Sequence, residues 1–265
     1  MDATLSNAAV VVPTFNEAGM IQAVVRRVLE TDVVSWLIVV DDSSTDDTIE
    51  LVRSLERLDP RVRLIVRRGQ KRSFARSYVE GFRYALDLGA DTLIQMDGDG
   101  SHDANDIPRV IDALRTADVV VCSRYTPGGR NDMTSGLRHL LSYMGSRFSE
   151  AALKVPVRDM TGGFNGWHAE VIRKIRFEEN KLEGFGFQVW LKGKAYSAGA
   201  RLTELPIVFK ERECGRSKFR FSMALEVLVE VIKMRSEASR WRPPDIGSCA
   251  PGLQPRQYPP PLGDD

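Results

Sequence analysis

The sequence is poor in the residues that build disulfide frameworks, soft-metal sites and membrane spans. Its 265 residues hold three cysteines, Cys122, Cys214 and Cys249, and three histidines. An odd number of widely separated cysteines argues against a disulfide scaffold and a Cys-based zinc site, and fits a reducing compartment. His102, His139 and His168 lack the spacing of a metal site, and none lies in a Ser or Cys nucleophile motif. No run approaches the ~20 apolar residues that a spanning helix needs, and Met1 to Ala8 shows no basic region ahead of an apolar one. The expectation is a cytoplasmic protein, peripheral at the cytoplasmic face of any membrane it meets. Neither sign of charge dominates: 37 Lys plus Arg against 36 Asp plus Glu leave a net charge of +1. With no basic runs interleaved with aromatics, that balance argues against a nucleic-acid partner. Internal repeats are absent too.

What is present is an α/β pattern. Hydrophobic residues make up 43% of the chain, enough for one sizeable core. From Ala8 to Ser123 short apolar runs alternate with longer amphipathic ones, the signature of βαβ units and a mostly parallel sheet. Strands are predicted at 8–12, 36–40, 62–66, 92–96 and 118–122, with Pro13 blocking further pairing where the first strand ends. Helical spacing is kept by Ile21, Val24, Val25, Val28 and Leu29, and by Ile49, Val52, Leu55 and Leu58. Residues 124–135 are polar and Gly-rich and read as a flexible loop suited to a lid. Helices follow at 137–154 and 185–198, a strand at 202–205 and a charged segment at 210–218. Over 221–239, Phe221, Leu225, Leu228 and Ile232 line one helical face, and Glu226, Glu230, Lys233 and Glu237 another. The division is a catalytic domain at 1–218, an amphipathic helix at 219–242 and a Pro-rich, disordered tail at 243–265. The helix either rests on a membrane or packs on the domain or a partner.

The chemistry concentrates at strand ends. Asp97-Gly98-Asp99 closes the fourth strand, and ligands of open α/β sheets gather at such carboxyl ends. Hard oxygens there suit Mg²⁺ or Mn²⁺ bridging substrate phosphates; the plain alternative is a solvated Asp-Gly turn. A second acidic end, Asp41-Asp42-Ser43-Ser44, and a third polar one, Pro13-Thr14-Phe15-Asn16-Glu17, point to the same edge. Asp42 and Glu17 can accept from a nucleoside's base and ribose donors; Asn16, and Ser44 with Asp47, also read as helix caps. Arg124 and Arg138 follow the fifth strand and open the next helix, and Arg212, Arg216 and Lys218 form another basic cluster. Their guanidinium forks and ammonium suit phosphate oxygens, against the alternative of solvated surface charge. Asp159 precedes Gly162-Gly163 and either orients Arg138, contacts sugar hydroxyls or caps a turn.

Taken together, these residues resemble the inverting family 2 glycosyltransferases of GT-A fold, and among them the dolichol or polyprenol phosphate mannose synthases. The blocks are Val12-Pro13-Thr14-Phe15-Asn16-Glu17, Val40-Asp41-Asp42-Ser43-Ser44, Met96-Asp97-Gly98-Asp99-Gly100-Ser101-His102, Ser123-Arg124-Tyr125, Gly128-Gly129, Arg158-Asp159-Met160-Thr161-Gly162-Gly163-Phe164, and Pro206 to Phe209 leading to Arg212 and Lys218. The resemblance implies a Rossmann-like sheet flanked by helices. It implies nucleoside binding by Pro13, Phe15, Glu17, Val40 and Asp42, and a Mg²⁺ or Mn²⁺ site of Asp97, Asp99 and Ser101 beside Gly98. Arg124, Arg138, Arg212 and Lys218 would surround the donor diphosphate and acceptor phosphate, with Asp99, Arg124 and Arg138 catalytic. The implied partners are a sugar nucleotide, GDP-mannose first, a polyprenyl phosphate, and a membrane surface or membrane-anchoring protein. A phosphate monoester is largely ionised above its second pKa of about 6, so no strong general base is required. Phe15, the Lys71 to Ala75 segment and Trp190 depart from the family's usual Tyr, Gly-rich run and Glu. A transferase with a soluble acceptor and a non-catalytic degenerate subunit are the rivals.

Overall fold

Runs of valine and isoleucine become strands because β-branched side chains fit a pleated surface covered on both faces. A computed structural model describes residues 7–132, 136–179, 182, 184, 186–210 and 221–237. Seven strands form one sheet: β1 (Ala8–Thr14), β2 (Trp36–Asp41), β3 (Val62–Val66), β4 (Thr92–Gln95), β5 (Val119–Ser123), β7 (Asn165–His168) and β8 (Leu202–Pro206). Their order is β3-β2-β1-β4-β7-β5-β8. Only β7 runs antiparallel to its neighbours, β4 and β5. A short parallel pair, β6 (Arg130–Asn131) with β9 (Val208–Phe209), crosses the segment expected to be a loop.

Helices cover both faces. On β1, Val10 and Val12 point into one core with α1 (Ile21–Glu30), α2 (Thr48–Leu58) and α4 (Ile107–Ala113). Ala9 and Val11 point into the other, with α3 (Phe74–Asp87), α6 (Ala169–Lys174), α7 (Gly186–Ser197) and α8 (Phe221–Glu237), and Leu153 closing α5 (Gly136–Leu153). From β1 the chain order runs outward to β2 and β3 on one side and to β4 on the other. The crevice outside the carboxyl ends of β1 and β4 is therefore the switch point where such sheets bind ligands.

Two expectations need correction. Pro13 lies inside β1, paired in register with Val40; pairing stops only on the β4 side, at Val11 opposite Gln95. A proline lacks the N–H for one neighbour, and one neighbour is all it has here. The second correction is β7, missed because Asn165-Gly166-Trp167-His168 carries no apolar run. Its glycine admits α4, since a Cβ at Gly166 would run into Val110. On α8 the face carrying Leu228 and Ile232 is exposed, one of the two dispositions that the sequence pattern left open. Val227, Glu230 and Val231 are buried against the domain, while Leu228, Val229 and Ile232 are 40%, 42% and 56% exposed. The Glu226 carboxylate accepts the Gly184 N–H at 3.0 Å just ahead of α7, where a helix N-terminus favours negative charge. The side chains of Phe221 and Leu225, all of 211–220, and the tail at 243–265 lie outside the described residues.

Candidate active site

The loops after β1 and β2 are sewn together by backbone N–H groups. Asn16 adopts a left-handed φ of 53° and its N–H donates to Ser44 Oγ at 2.8 Å. The Thr45 N–H donates to Asn16 Oδ1 at 2.8 Å, and the Glu17 N–H to Thr48 Oγ1 at 2.9 Å. The capping roles expected of Asn16, and of Ser44 with Asp47, are therefore not taken. α1 starts at Ile21 without a side-chain cap, and Ser44 donates its N–H and hydroxyl to Asp41 at 2.7 and 2.5 Å. Glu17 is buried and Phe15 half-buried at the mouth of this joint, with the Arg72 guanidinium 4.3 Å from the Phe15 ring centre. Pro13 is half-buried beside them. Val40 sends its side chain into the core beneath α3, so only its backbone faces the loops.

Asp42 is nearly buried and braced from behind. Its Oδ2 accepts the Ser73 N–H at 2.6 Å, and its Oδ1 is paired with Arg67. Arg67, at the end of β3, also binds Glu80 at 2.9 Å and Gln70 at 3.1 Å. Burial raises the Asp42 pKa, and Arg67 opposes that. A carboxylate has about four lone-pair positions, so these two bonds leave acceptor capacity for a ligand. Arg67 and Ser73 escaped the sequence reading; the signal was there, because Arg67 sits at the same strand-end edge as the acidic residues.

Asp97 and Asp99 leave β4 toward the crevice. Gly98 between them lies flat on β1, where a Cβ would come 3.1 Å from Val12 and 3.2 Å from the Pro13 carbonyl. Asp99 is buried, and its Oδ1 accepts both the Ser101 N–H at 3.0 Å and the Ser101 hydroxyl at 2.5 Å. Asp97 is more open: Tyr78 donates its hydroxyl to Oδ1 at 3.2 Å, and His102 Nε2 lies 3.5 Å from Oδ2. Burial, and then the Asp97 charge, hold the Tyr78 phenol well above its ordinary pKa, so it remains a donor. Tyr78 was missed because Phe74, Tyr78 and Phe82 follow helical spacing and read as core. The bare Cα of Gly163 faces Asp97, and a Cβ there would stand 3.2 Å from Oδ2.

Arg124 closes the far side. Its side chain is 8% exposed and forks onto the fully buried Asp159, Nε to Oδ2 at 2.7 Å and Nη2 to Oδ1 at 2.8 Å. Its backbone N–H donates to the same carboxylate at 3.1 Å, and Nη2 also reaches Thr161 Oγ1 at 3.1 Å. Burial opposes the Arg124 charge, but Asp159 more than offsets this and raises the pKa. Burial likewise works against ionised Asp159, and Arg124 overrides it, holding the carboxyl below its ordinary range. Asp159 therefore orients Arg124, where Arg138 had been one of its expected partners. It is also too committed to act as a general base.

Other expected groups approach the same place by their connections. Thr161 Oγ1 bonds Ser142 at 3.1 Å and Ser146 at 2.9 Å, tying α5 to the Arg124 pair. Arg138 lies one turn before Ser142 on α5, its side chain outside the described residues. The Lys210 N–H donates to the Ser101 carbonyl at 3.1 Å, so the chain enters 211–220 beside the Asp99 loop. Arg212, Arg216 and Lys218 lie in that segment, outside the described residues.

The donor set fits a hard divalent cation shared with a diphosphate. Among the described residues no cluster of three or more His, Cys, Asp or Glu is arranged to hold a metal. Two carboxylates and a hydroxyl match a Mg²⁺-type ion that takes its remaining oxygens from phosphate and water.

Residues 9–176 match the family model described as "Glycosyl transferase family 2". The chain belongs to glycosyl transferase family 2. This glycosyltransferase is 34% identical over 231 residues to an "Undecaprenyl-phosphate mannosyltransferase" of Micrococcus luteus, covering 87% of this chain and 94% of that one. It is 34% identical over 223 residues to a "Polyprenol monophosphomannose synthase" of Mycolicibacterium smegmatis, covering 84% of each. Among solved structures, glucosyl-3-phosphoglycerate synthase from Mycobacterium tuberculosis, crystallised with Mn²⁺, UDP-glucose and phosphoglyceric acid, superposes with a TM-score of 0.67. At 17% identity over 87% of this chain and 80% of that one, this likeness is one of fold. The family 2 transferase thus has the expected mixed, mostly parallel sheet flanked by helices.

Proposed function

We propose that this transferase moves mannose from GDP-mannose to a polyprenyl phosphate, inverting the anomeric centre. The observation that carries the reading is the buried Arg124–Asp159 fork, near enough to Asp97 to feel its charge and joined to it by the turn whose Gly163 lies against Asp97. The carboxylate side suits a cation-bridged diphosphate and the fork a second phosphate. The similarity to an undecaprenyl-phosphate mannosyltransferase and a polyprenol monophosphomannose synthase supports the choice of acceptor and sugar.

In this reading Pro13, Phe15, Glu17, Asp42 and the Val40 backbone take the nucleoside. Asp97, Asp99 and Ser101 hold Mg²⁺ or Mn²⁺, which when bound neutralises charge on the departing diphosphate. Tyr78 fixes the rotamer of Asp97, and Ser101 that of Asp99. Arg212 and Lys218 flank the diphosphate. Arg124 and Arg138 hold the acceptor phosphate in line with the sugar, supplying orientation and positive charge. No protein group needs to take a proton, because the acceptor is an anion already.

A panel of sugar nucleotides assayed with a short polyprenyl phosphate, with and without Mn²⁺, tests this. Mannosyl transfer from the GDP donor, dependent on the ion, is the expected result. Transfer only to water-soluble acceptors would replace the lipid, and no transfer or donor hydrolysis under any condition would refute catalysis.

Two packed helices support a membrane-borne acceptor. Leu140, Tyr143, Met144 and Phe148 of α5 are exposed, as are Leu228, Val229 and Ile232 of α8. Among the described residues no helix is long and apolar enough to cross a membrane. These side chains suit shallow burial at the headgroup boundary, with Arg147, Lys233 and Arg235 exposed around them. In this reading the enzyme is peripheral and sits at the cytoplasmic face. Replacing Met144, Phe148 and Ile232 with Ser should abolish flotation with anionic liposomes while leaving hydrolysis of the sugar nucleotide intact. Equal flotation would remove the membrane role from this face.

A further inference from the structure

One charged side chain beside the site has no part in the reading so far. Lys192, on α7, is fully buried, which is rare for an ammonium. Its Nζ donates to the Met160 carbonyl at 3.2 Å and to the Gly162 carbonyl at 2.8 Å. Those carbonyls belong to the turn whose Asp159 holds Arg124, whose Gly162 N–H donates back to Asp159 at 2.9 Å, and whose Gly163 rests on Asp97. A buried charge is costly to place, and this one braces the back of a turn whose front is the site.

We propose that Lys192 is a positioning residue for sugar transfer: by tethering the Met160 and Gly162 carbonyls it fixes the turn through which Asp159 aims Arg124 at the acceptor phosphate. The inference rests on the assignment of Arg124 to that phosphate. Its electrostatics are local. The groups that act on Lys192 are Asp159, Arg124, Cys122 and Glu204. Protonated Lys192 adds one positive charge to the set formed by Arg124, Asp159 and Glu204 beneath the phosphate. Neutral Lys192 removes it.

Burial lowers the Lys192 pKa to about 7, with Asp159 opposing and Arg124 adding to the fall. The acceptor's second ionisation, at about 6, comes earlier and is about nine-tenths complete at pH 7. Wild-type kcat/KM for the acceptor should therefore decline as pH rises through about 7 to 8. Stability should move the other way. Between about 7 folded and 10.5 unfolded, the unfolded chain binds a proton that the folded one does not, so wild-type stability rises with pH across that window. A Lys192→Met variant has nothing to titrate, so its melting temperature relative to wild type should be highest below pH 7 and fall toward pH 10.

The test is kinetics of Lys192→Met and Lys192→Arg with a short polyprenyl phosphate across pH 6 to 9, alongside Mn²⁺-nucleotide titration and amide exchange at 159–163. The Met variant should lose about ten- to a hundredfold in kcat/KM for the acceptor, a displaced supporting group's usual effect. It should lack the alkaline decline, exchange faster at 159–163 and keep nucleotide affinity within about threefold of wild type. The Arg variant should recover rate without the decline. A Met variant equal to wild type in acceptor kinetics, pH profile and exchange overturns the proposal. Should the Met variant not fold, an Arg variant sharing the wild-type alkaline decline overturns it equally. A wild-type enzyme that ignores polyprenyl phosphate refutes the acceptor assignment instead. The exchange comparison then decides the tether: faster exchange supports it, and unchanged exchange refutes it.

Discussion

Asp99→Ala is expected to lower sugar transfer by at least about 10³-fold, because it removes one of the two carboxylates proposed to grip the ion against the diphosphate. The same change should leave the fold intact. The β4 strand carrying the loop is paired on both sides, to β1 and β7. What is lost locally includes the pair of bonds that Asp99 accepts from Ser101. At about 1–2 kcal/mol for such bonds, the melting temperature should fall by only a few degrees. Circular dichroism and a transfer assay on one preparation separate the two effects. Near wild-type turnover in Asp99→Ala would contradict the scheme.

The second large effect concerns Arg124. Arg124→Lys keeps the charge but loses the planar fork that meets Asp159 at two points. Transfer should fall about 10²- to 10³-fold, chiefly through the acceptor, with the donor's KM little changed. Arg124→Ala should do worse and also unfold more easily, because it strands Asp159 as an unpaired charge at 0% exposure. Breaking such a buried pair costs about 3–5 kcal/mol. Part of this stability is pH-dependent. Asp159 has a lowered folded pKa, so its contribution is present above the ordinary carboxylate range and is lost as pH falls through the folded value. The gap in stability between wild type and Arg124→Ala should therefore close in acid. A gap that held steady down to low pH would show that Asp159 is not the partner that matters.

The polar clusters at the sheet's carboxyl edge were legible in the sequence because strand ends announce themselves. An apolar run stops, and the polar residues after it must lie at the sheet's carboxyl edge. Asp97, Asp99, Asp42 and Arg124 all follow such stops, and the structure places each there. What stayed hidden came from elements without such a run. β7 is four residues long with a glycine at its centre, and inserting it antiparallel between β4 and β5 brings Gly163 onto Asp97. Tyr78 and Lys192 sit on helices among large apolar neighbours, where spacing marks them as core and says nothing of the tip. Which face of α8 would be buried stayed open for a related reason. Periodicity identifies two faces but not which one finds a partner, and here Glu226 finds one ahead of α7.

The most direct measurement is calorimetric titration of GDP and GDP-mannose into the wild-type protein and Asp99→Ala, with Mn²⁺ and then with chelator. Tight uptake by wild type only when the ion is present, and weak uptake by the variant under both conditions, is the predicted pattern. Equal affinity with and without the ion in wild type would mean that Asp97 and Asp99 do not serve a bridging cation.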